Sequence, residues 1–169
     1  MGKELTLIVN TAECVGCSAC EVACKQEHNL PVGPRLIRVY FNTPRLIEDR
    51  WQARYTVTHC MHCSKPSCKD VCPTNAISKR EDGIVLIKED LCTGCKQCIE
   101  ACPLGVMQFE EEKRVAQKCD LCIKNIDKGL SPACVNVCPS HCISFGNIDK
   151  ITDLVGKQRL LVWFKGSNG

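Results

Sequence analysis

Aromatic side chains are scarce in this chain: Phe, Trp and Tyr make up 5% of its 169 residues. So few large side chains fill a core poorly, and something else must hold the fold together. Long apolar runs are missing as well. The longest, such as residues 160–164, are about five residues, against the ~18 or more that a spanning helix needs. A direct membrane span is therefore not expected. Neither sign of charge dominates, since 22 Lys and Arg face 19 Asp and Glu for a net +3. That balance leaves no basic footprint for nucleic acid. With 44% hydrophobic residues it also argues against intrinsic disorder. The opening MGKELTLIVN holds no basic-then-apolar-then-small leader and no twin-arginine pair. The expectation is a cytoplasmic chain, unless a partner carries it elsewhere.

What the chain does have is cysteine, 17 in all. In a cytoplasmic protein, so many thiols point to metal binding rather than disulfides, and an odd count fits pairing poorly. The spacings are regular. Group one is Cys14-x2-Cys17-x2-Cys20-x3-Cys24. Group two is Cys60-x2-Cys63-x4-Cys68-x3-Cys72, followed by Pro73. Group three is Cys92-x2-Cys95-x2-Cys98-x3-Cys102, followed by Pro103. Group four is Cys119-x2-Cys122, then Cys134-x3-Cys138, followed by Pro139. Cys142 is left over.

Groups one and three match the bacterial ferredoxin run that holds a [4Fe–4S] cluster. Three thiolates two residues apart wrap one face of a cubane, each reaching a different iron. Proline fits after the fourth cysteine, where the chain turns away and no N–H is needed. The alternative is zinc, which takes its four ligands from two separated Cys-x2-Cys pairs. Three cysteines within seven residues, occurring twice, make an awkward zinc site.

In two-cluster ferredoxins the fourth cysteine of each run ligates the other cluster. Applied to the nearest groups, Cys60, Cys63, Cys68 and Cys102 would hold one cluster, and Cys92, Cys95, Cys98 and Cys72 the next. The outer groups would then pair with each other. Cys14, Cys17, Cys20 and Cys138 would hold one cluster, and Cys119, Cys122, Cys134 and Cys24 the last. Such exchange staples distant segments and compensates for a core poor in aromatics.

The expected fold class is α+β: two nested bacterial-ferredoxin-like units, with short hairpins and short helices around four iron–sulfur clusters. The outer two-cluster unit is assigned residues 1–28 and 103–148, and the inner one residues 59–102. Residues 5–9 and 36–41 read as strands. Residues 76–79 and 84–87 read as a hairpin with a turn at Glu81-Asp82-Gly83. Residues 106–109 and 114–117 read as a second hairpin, with a charged tip at 110–113. Short helices are expected near Cys20, Cys68, Cys98 and Cys134, each running into the fourth cysteine of its group. Two segments fall outside this pattern. The insertion 29–58 carries Arg35, Arg38, Arg45, Arg50, Arg54 and Trp51. The tail, residues 149–169, follows Gly146 and has Ile151, Leu154 and Val155 at helical spacing. Both are docking or covering segments.

With these features in view, the chain resembles the four-cluster iron–sulfur subunits of molybdenum and tungsten pterin oxidoreductases, including the dimethyl sulfoxide, polysulfide, nitrate and formate enzymes. It is also similar to the small iron–sulfur subunit of tungsten aldehyde oxidoreductases. The order of the four groups carries the resemblance, with Cys60-Met61-His62-Cys63-Ser64-Lys65-Pro66-Ser67-Cys68 and Lys118-Cys119-Asp120-Leu121-Cys122 as local signatures. It implies four [4Fe–4S] clusters, because the third group keeps all of its cysteines. It implies a large molybdo- or tungstopterin catalytic partner, such as an aldehyde or formate oxidoreductase, and a further flavin or membrane redox subunit. No catalytic site of its own is implied. Two departures stand out: group one lacks its proline, and Cys142 occupies a position usually given to a small residue.

Four clusters of charge −2 would turn the formal +3 into about −5. Lys25, Lys96, Lys118 and Lys124 lie beside ligands in sequence and could offset that charge, although a solvated surface role is the plainer expectation for each. His28, His59, His62 and His141 form no ligand pattern. His62 falls between two ligands, where packing is the plainer role. Cys142 reads as a small buried side chain, and Glu110-Glu111-Glu112 as a solvated turn. The leading reading is an electron-transfer subunit. A free polyferredoxin-type shuttle and a zinc-stapled module are the alternatives.

Overall fold

The computed structural model describes residues 4–149 and 151. Apolar Leu5–Val9 forms strand β1, and the first cysteine group leads into helix α1 (Ala19–Glu27). A long ribbon follows, β2 (Ile37–Ile47) and β3 (Arg50–His59). Next come α2 (Ser67–Asp70), β4 (Ile77–Lys79), β5 (Val85–Ile87) and α3 (Gln97–Glu100). The remainder is β6 (Gln108–Glu110), β7 (Val115–Gln117), α4 (Ile123–Ile126), α5 (Ala133–Asn136) and β8 (Ile143–Asn147). Among the described residues the strands pair only in twos, all antiparallel: β1 with β8, β2 with β3, β4 with β5, β6 with β7. The class is α+β. No helix among the described residues is long and apolar enough to cross a membrane.

The pairing of β1 with β8 sets Leu5 opposite Asn147 and Val9 opposite Ile143, closing the described chain end to end. The Leu5 N–H also donates to Asp82 O at 2.9 Å, at the turn between β4 and β5. Helix α1 packs on α5, and α2 on α3.

Two apolar clusters fill the interior. The larger joins Leu7, Val9, Leu36, Ile37, Val57, Ile84, Val106, Leu121 and Ile143 with the thiols of Cys20, Cys24, Cys60, Cys119, Cys134, Cys138 and Cys142. The smaller holds Ile77, Val85, Cys98, Met107 and Ala116. No Phe, Trp or Tyr is among the buried described residues, so the aromatic-poor composition does yield an aromatic-free core.

The expected hairpins form, with the turn of the first at Gly83 (φ +83°), whose N–H donates to Arg80 O at 3.0 Å. The second hairpin is shorter than expected, but its first strand runs one residue further toward the tip. Glu110 does not join a charged tip but pairs with Val115 in β6. Its carboxylate is 2% exposed and accepts from the Gln117 amide, which satisfies it inside the fold. The helices also need correction. Each of α1, α2, α3 and α5 begins one residue before the third cysteine of its group, but the three short ones stop two residues before the fourth. Those three groups carry proline after the fourth cysteine, and proline disfavours helical backbone in the residue before it. Group one has Lys25 there, and α1 runs through Cys24 to Glu27. Helix α4 was not expected. Of the tail, Leu154, Val155 and residues 160–164 lie outside the described residues, so the expected helical spacing there stays a sequence reading.

Helix α1 anchors the ribbon. Buried Glu21 accepts the Val39 N–H at 2.5 Å and an Arg35 Nη1–H at 3.1 Å. Lys25 Nζ donates to Pro31 O at 2.6 Å and to Pro34 O at 2.9 Å, which fixes the connection to β2.

Candidate metal centres

In all four cysteine groups the residue just before the second cysteine has left-handed backbone: Gly16 (φ 68°), His62 (48°), Gly94 (72°) and Leu121 (61°). In groups one and three the residue just after it does too, at Ser18 (58°) and Lys96 (62°). Such turns bring successive N–H groups to one side and form a nest for an anion. Glycine is required at Gly94, because a Cβ there would stand 2.6 Å from Arg114 O. A second repeat follows the fourth cysteine. Asn75, Gly105 and His141, each three residues beyond it, are also left-handed. They occur in the three groups that carry the proline.

The seventeen thiols are free, and electrostatics reveals their neighbours. Burial pushes the Cys68 thiol up to about 11; repulsion from Cys60 adds to this, Lys118 opposes it, and Cys102 and Cys63 add again. The Cys98 thiol is likewise pushed up to about 11 by burial, then by Cys92, Cys95 and Cys72. Those four thiols line one cavity with Thr74, Ala76 and Ile77. Cys24 is raised far above an ordinary thiol by burial, then by Cys122 and Cys134. Cys20 rises to about 11 by burial, with Cys14 and Cys17 adding to it. Cys142 is raised to about 12 by burial and lies close to Cys138 and Cys14. Cys119, fully buried, is repelled by Cys60 as well as by Cys24 and Cys134, so groups two and four meet there. Only Cys17 and Cys95 are exposed.

Two thiols move the other way. At Cys72, burial raises the thiol, but the Thr74 hydroxyl and the N–H groups of Ala76, Thr74 and Ile77 outweigh it. At Cys138, burial is outweighed by the Ser140 hydroxyl, the Cys142 thiol and the N–H groups of Cys142 and Ile143. The Thr74 and Ser140 hydroxyls lie 3.7 Å from their sulfurs. Hydrogen bonds to ligand sulfur set cluster potentials. Thr74→Val is therefore expected to lower the potential of the Cys92-group cluster and leave the others unmoved, as read by potentiometric titration of the reduced spectra. The Cys-Pro-[Thr/Ser] repeat is a signal present in the sequence but missed by reading ligands alone.

Lys118 departs from the surface role expected of it. It is 5% exposed, and its ammonium donates to Val85 O and Cys119 O, leaving a fixed cation beside the group-two thiols. Lys96 lies 3.9 Å from the Phe109 ring centroid, and Lys124 is exposed. His62 packs as expected: its buried ring accepts the Val85 N–H at Nδ1, 2.9 Å away. Burial lowers the His59 pKa, and the ring is bonded to Cys60 O. His28 has a role no local pattern announces. Its Nε2 lies 3.6 Å from Cys122 Sγ and 3.3 Å from Asp120 Oδ1, across 94 residues of sequence for the Cys122 contact.

Residues 51–148 match the family described as a 4Fe-4S dicluster domain, and residues 11–27 match a 4Fe-4S binding domain. The chain is 37% identical over 158 residues to the B subunit of anaerobic dimethyl sulfoxide reductase from Escherichia coli (strain K12), covering 89% of this chain and 77% of that one. It is 36% identical over 156 residues to the thiosulfate reductase electron transfer subunit PhsB of Salmonella typhi, covering 88% and 78%. It is 33% identical over 159 residues to the B subunit of polysulfide reductase from Wolinella succinogenes, covering 93% and 83%. Multiple free thiols arranged over inward-turned amides suit the 4Fe–4S clusters that these families bind.

Proposed function

Given that this chain belongs to the dimethyl sulfoxide reductase type of 4Fe–4S electron-transfer subunits, we propose that it carries single electrons through four [4Fe–4S] clusters between a molybdo- or tungstopterin catalytic subunit and a second redox partner. As a subunit of this type it has an electron-transfer role and is not itself the catalyst. When bound, each cluster supplies one reversible single-electron step.

The observation that carries this reading is the company kept by the fourth cysteines. Cys102 is grouped with Cys60, Cys63 and Cys68, Cys72 with Cys92, Cys95 and Cys98, and Cys24 with Cys122 and Cys134. On this reading the ligand sets are Cys60, Cys63, Cys68 and Cys102; Cys92, Cys95, Cys98 and Cys72; Cys119, Cys122, Cys134 and Cys24; and Cys14, Cys17, Cys20 and Cys138. The units are nested as 59–102 within 1–28 and 103–148. Met107 and Ala116 of the outer segment pack against Ile77 and Val85 of the inner one. The closeness of Cys119 to Cys60 supports one continuous order: group three, group two, group four, group one. The exposed thiols, Cys95 and Cys17, then fall at the two ends, where electrons enter and leave.

The protein's own residues keep the path dry and compensated. Apolar Ile84 and Leu121 exclude water from the middle, and buried Lys118 sets a positive charge beside groups two and four. Anaerobic purification of the tagged chain from its host tests the reading. Molybdenum or tungsten should co-elute in a fixed ratio to about sixteen irons per chain. Iron without a pterin metal would leave a free shuttle, and stoichiometric zinc in a colourless protein would exclude both.

A further inference from the structure

We propose that Lys118 is the built-in counter-charge of the cluster held by the Cys60 group, and that it raises the potential of that cluster more than of any other. This rests on the function proposed above and deepens it, by giving one residue a part in ordering the path.

Among the described residues Lys118 is the only buried Lys or Arg. The buried carboxylates have cations of their own: Glu21 pairs with Arg35 at 3.1 Å and Glu110 with Lys113 at 3.4 Å. No Asp or Glu among the described residues pairs with Lys118. Its Nζ donates to two main-chain oxygens, Val85 O and Cys119 O. Those carbonyls satisfy its hydrogens and leave its charge unanswered. Glu89 and Asp120 line the same cleft, but Glu89 faces Lys113 at 4.0 Å and Asp120 accepts the Cys122 N–H at 2.8 Å. An ammonium withdrawn from water calls for an anion. The thiolates and the cluster they hold are that anion.

The position of the charge singles out group two. Val85, whose oxygen takes the ammonium, gives its N–H to His62 Nδ1 at 2.9 Å. His62 lies between Cys60 and Cys63. One residue of β5 thus ties Lys118 to the loop that carries the group-two ligands. Burial and the thiols of Cys60, Cys102 and Cys63 oppose the Cys68 thiolate, and Lys118 favours it. Ile84, Val85 and Leu121 are at most 1% exposed, so little water screens the charge. The other lysines singled out beside ligands lack this setting: Lys96 and Lys124 are exposed, and Lys25 is half-buried.

Reduction adds one negative charge to a cluster. A fixed cation beside it lowers that cost and raises the potential. On the order proposed above, group two is an interior stop. Lys118 therefore favours an electron there over the ends marked by exposed Cys95 and Cys17.

The test is potentiometry of the holo chain, purified anaerobically. The reduced-state paramagnetic signals are assigned by their loss in Cys60→Ala and Cys92→Ala. Lys118→Met keeps the length and loses the charge. It should cut the reduction constant of the group-two cluster about tenfold, a potential about 59 mV lower for one electron. The group-three signal should keep its wild-type potential, with about sixteen irons retained. Lys118→Arg keeps the charge and should shift group two by less than Lys118→Met does. An unmoved group-two potential in Lys118→Met, an equal or larger shift in another cluster, or an equal shift in Lys118→Arg overturns the proposal. Should Lys118→Met lose iron, Lys118→Gln is read in its place. Iron loss in both but not in Lys118→Arg supports the counter-charge, whereas loss in all three marks a packing role and overturns it. A wild-type chain holding zinc and no iron refutes the function itself; a full complement of iron with an insensitive potential refutes only the part given to Lys118.

Discussion

Cys102→Ala should extinguish the cluster built on Cys60, Cys63 and Cys68 and spare the one built on Cys92, Cys95 and Cys98. The expectation runs against sequence order, since Cys102 closes the third group. It follows from the electrostatic neighbourhood of Cys68, which includes Cys60, Cys102 and Cys63. It follows equally from the cavity of the third group, which is lined by Cys72 rather than Cys102. On the proposed ligand sets, alanine removes one of that cluster's four thiolates. Iron should fall from about sixteen to about twelve per chain, four for each cubane. Electron paramagnetic resonance of the reduced protein reads which signal disappears. Loss of the signal that is sensitive to Thr74→Val, in place of the Cys60-group signal, would refute the exchanged ligand sets.

Removing iron should have a still larger effect: the chain should lose its fold rather than persist as an empty shell. Among the described residues every sheet is two-stranded, and four of the five α-helices span four residues. Elements this short do not stand alone in water. The larger core cluster has seven cysteines among its sixteen buried residues, so much of its interior is ligand rather than hydrocarbon. Binding free energy is then folding free energy, as in other metal-stapled domains. Chelation under argon should abolish protected amides and the near-ultraviolet signal together, and iron and sulfide should restore both. Acid should favour the loss, because each ligating thiol must shed a proton to bind. An iron-free chain with native exchange protection would show that the apolar residues alone suffice.

How far the sequence reached can be judged element by element. Strand β1 and the hairpin at Gly83 were legible, since alternation and a Glu-Asp-Gly turn are local signals. Helix starts were legible from cysteine spacing. Their ends were not, because a proline after the fourth cysteine stops three helices and its absence extends α1. The burial of Glu110 and Lys118 was hidden, since each is charged and its partner lies on another element: Gln117 for the first, Val85 O for the second. His28 beside Cys122 is a contact between residues 94 apart, and no periodicity reports it. Residues 36–41 were legible as a strand, but the length of β2 and its partner β3 were not. The apolar alternation within β3 emerges only once Val57 and His59 are seen inside and Trp51 outside.

The pairing of β1 with β8 has a consequence for biogenesis. On a ribosome, residues 5–9 emerge well before their strand partner at 143–147. On the ligand sets proposed above, those of the two inner clusters are all available once residue 102 has left the ribosome. On the same ligand sets the outer pair must wait for Cys138. Those ligand sets imply maturation from the middle outward. Until residues 143–147 appear, β1 presents an unpaired apolar edge.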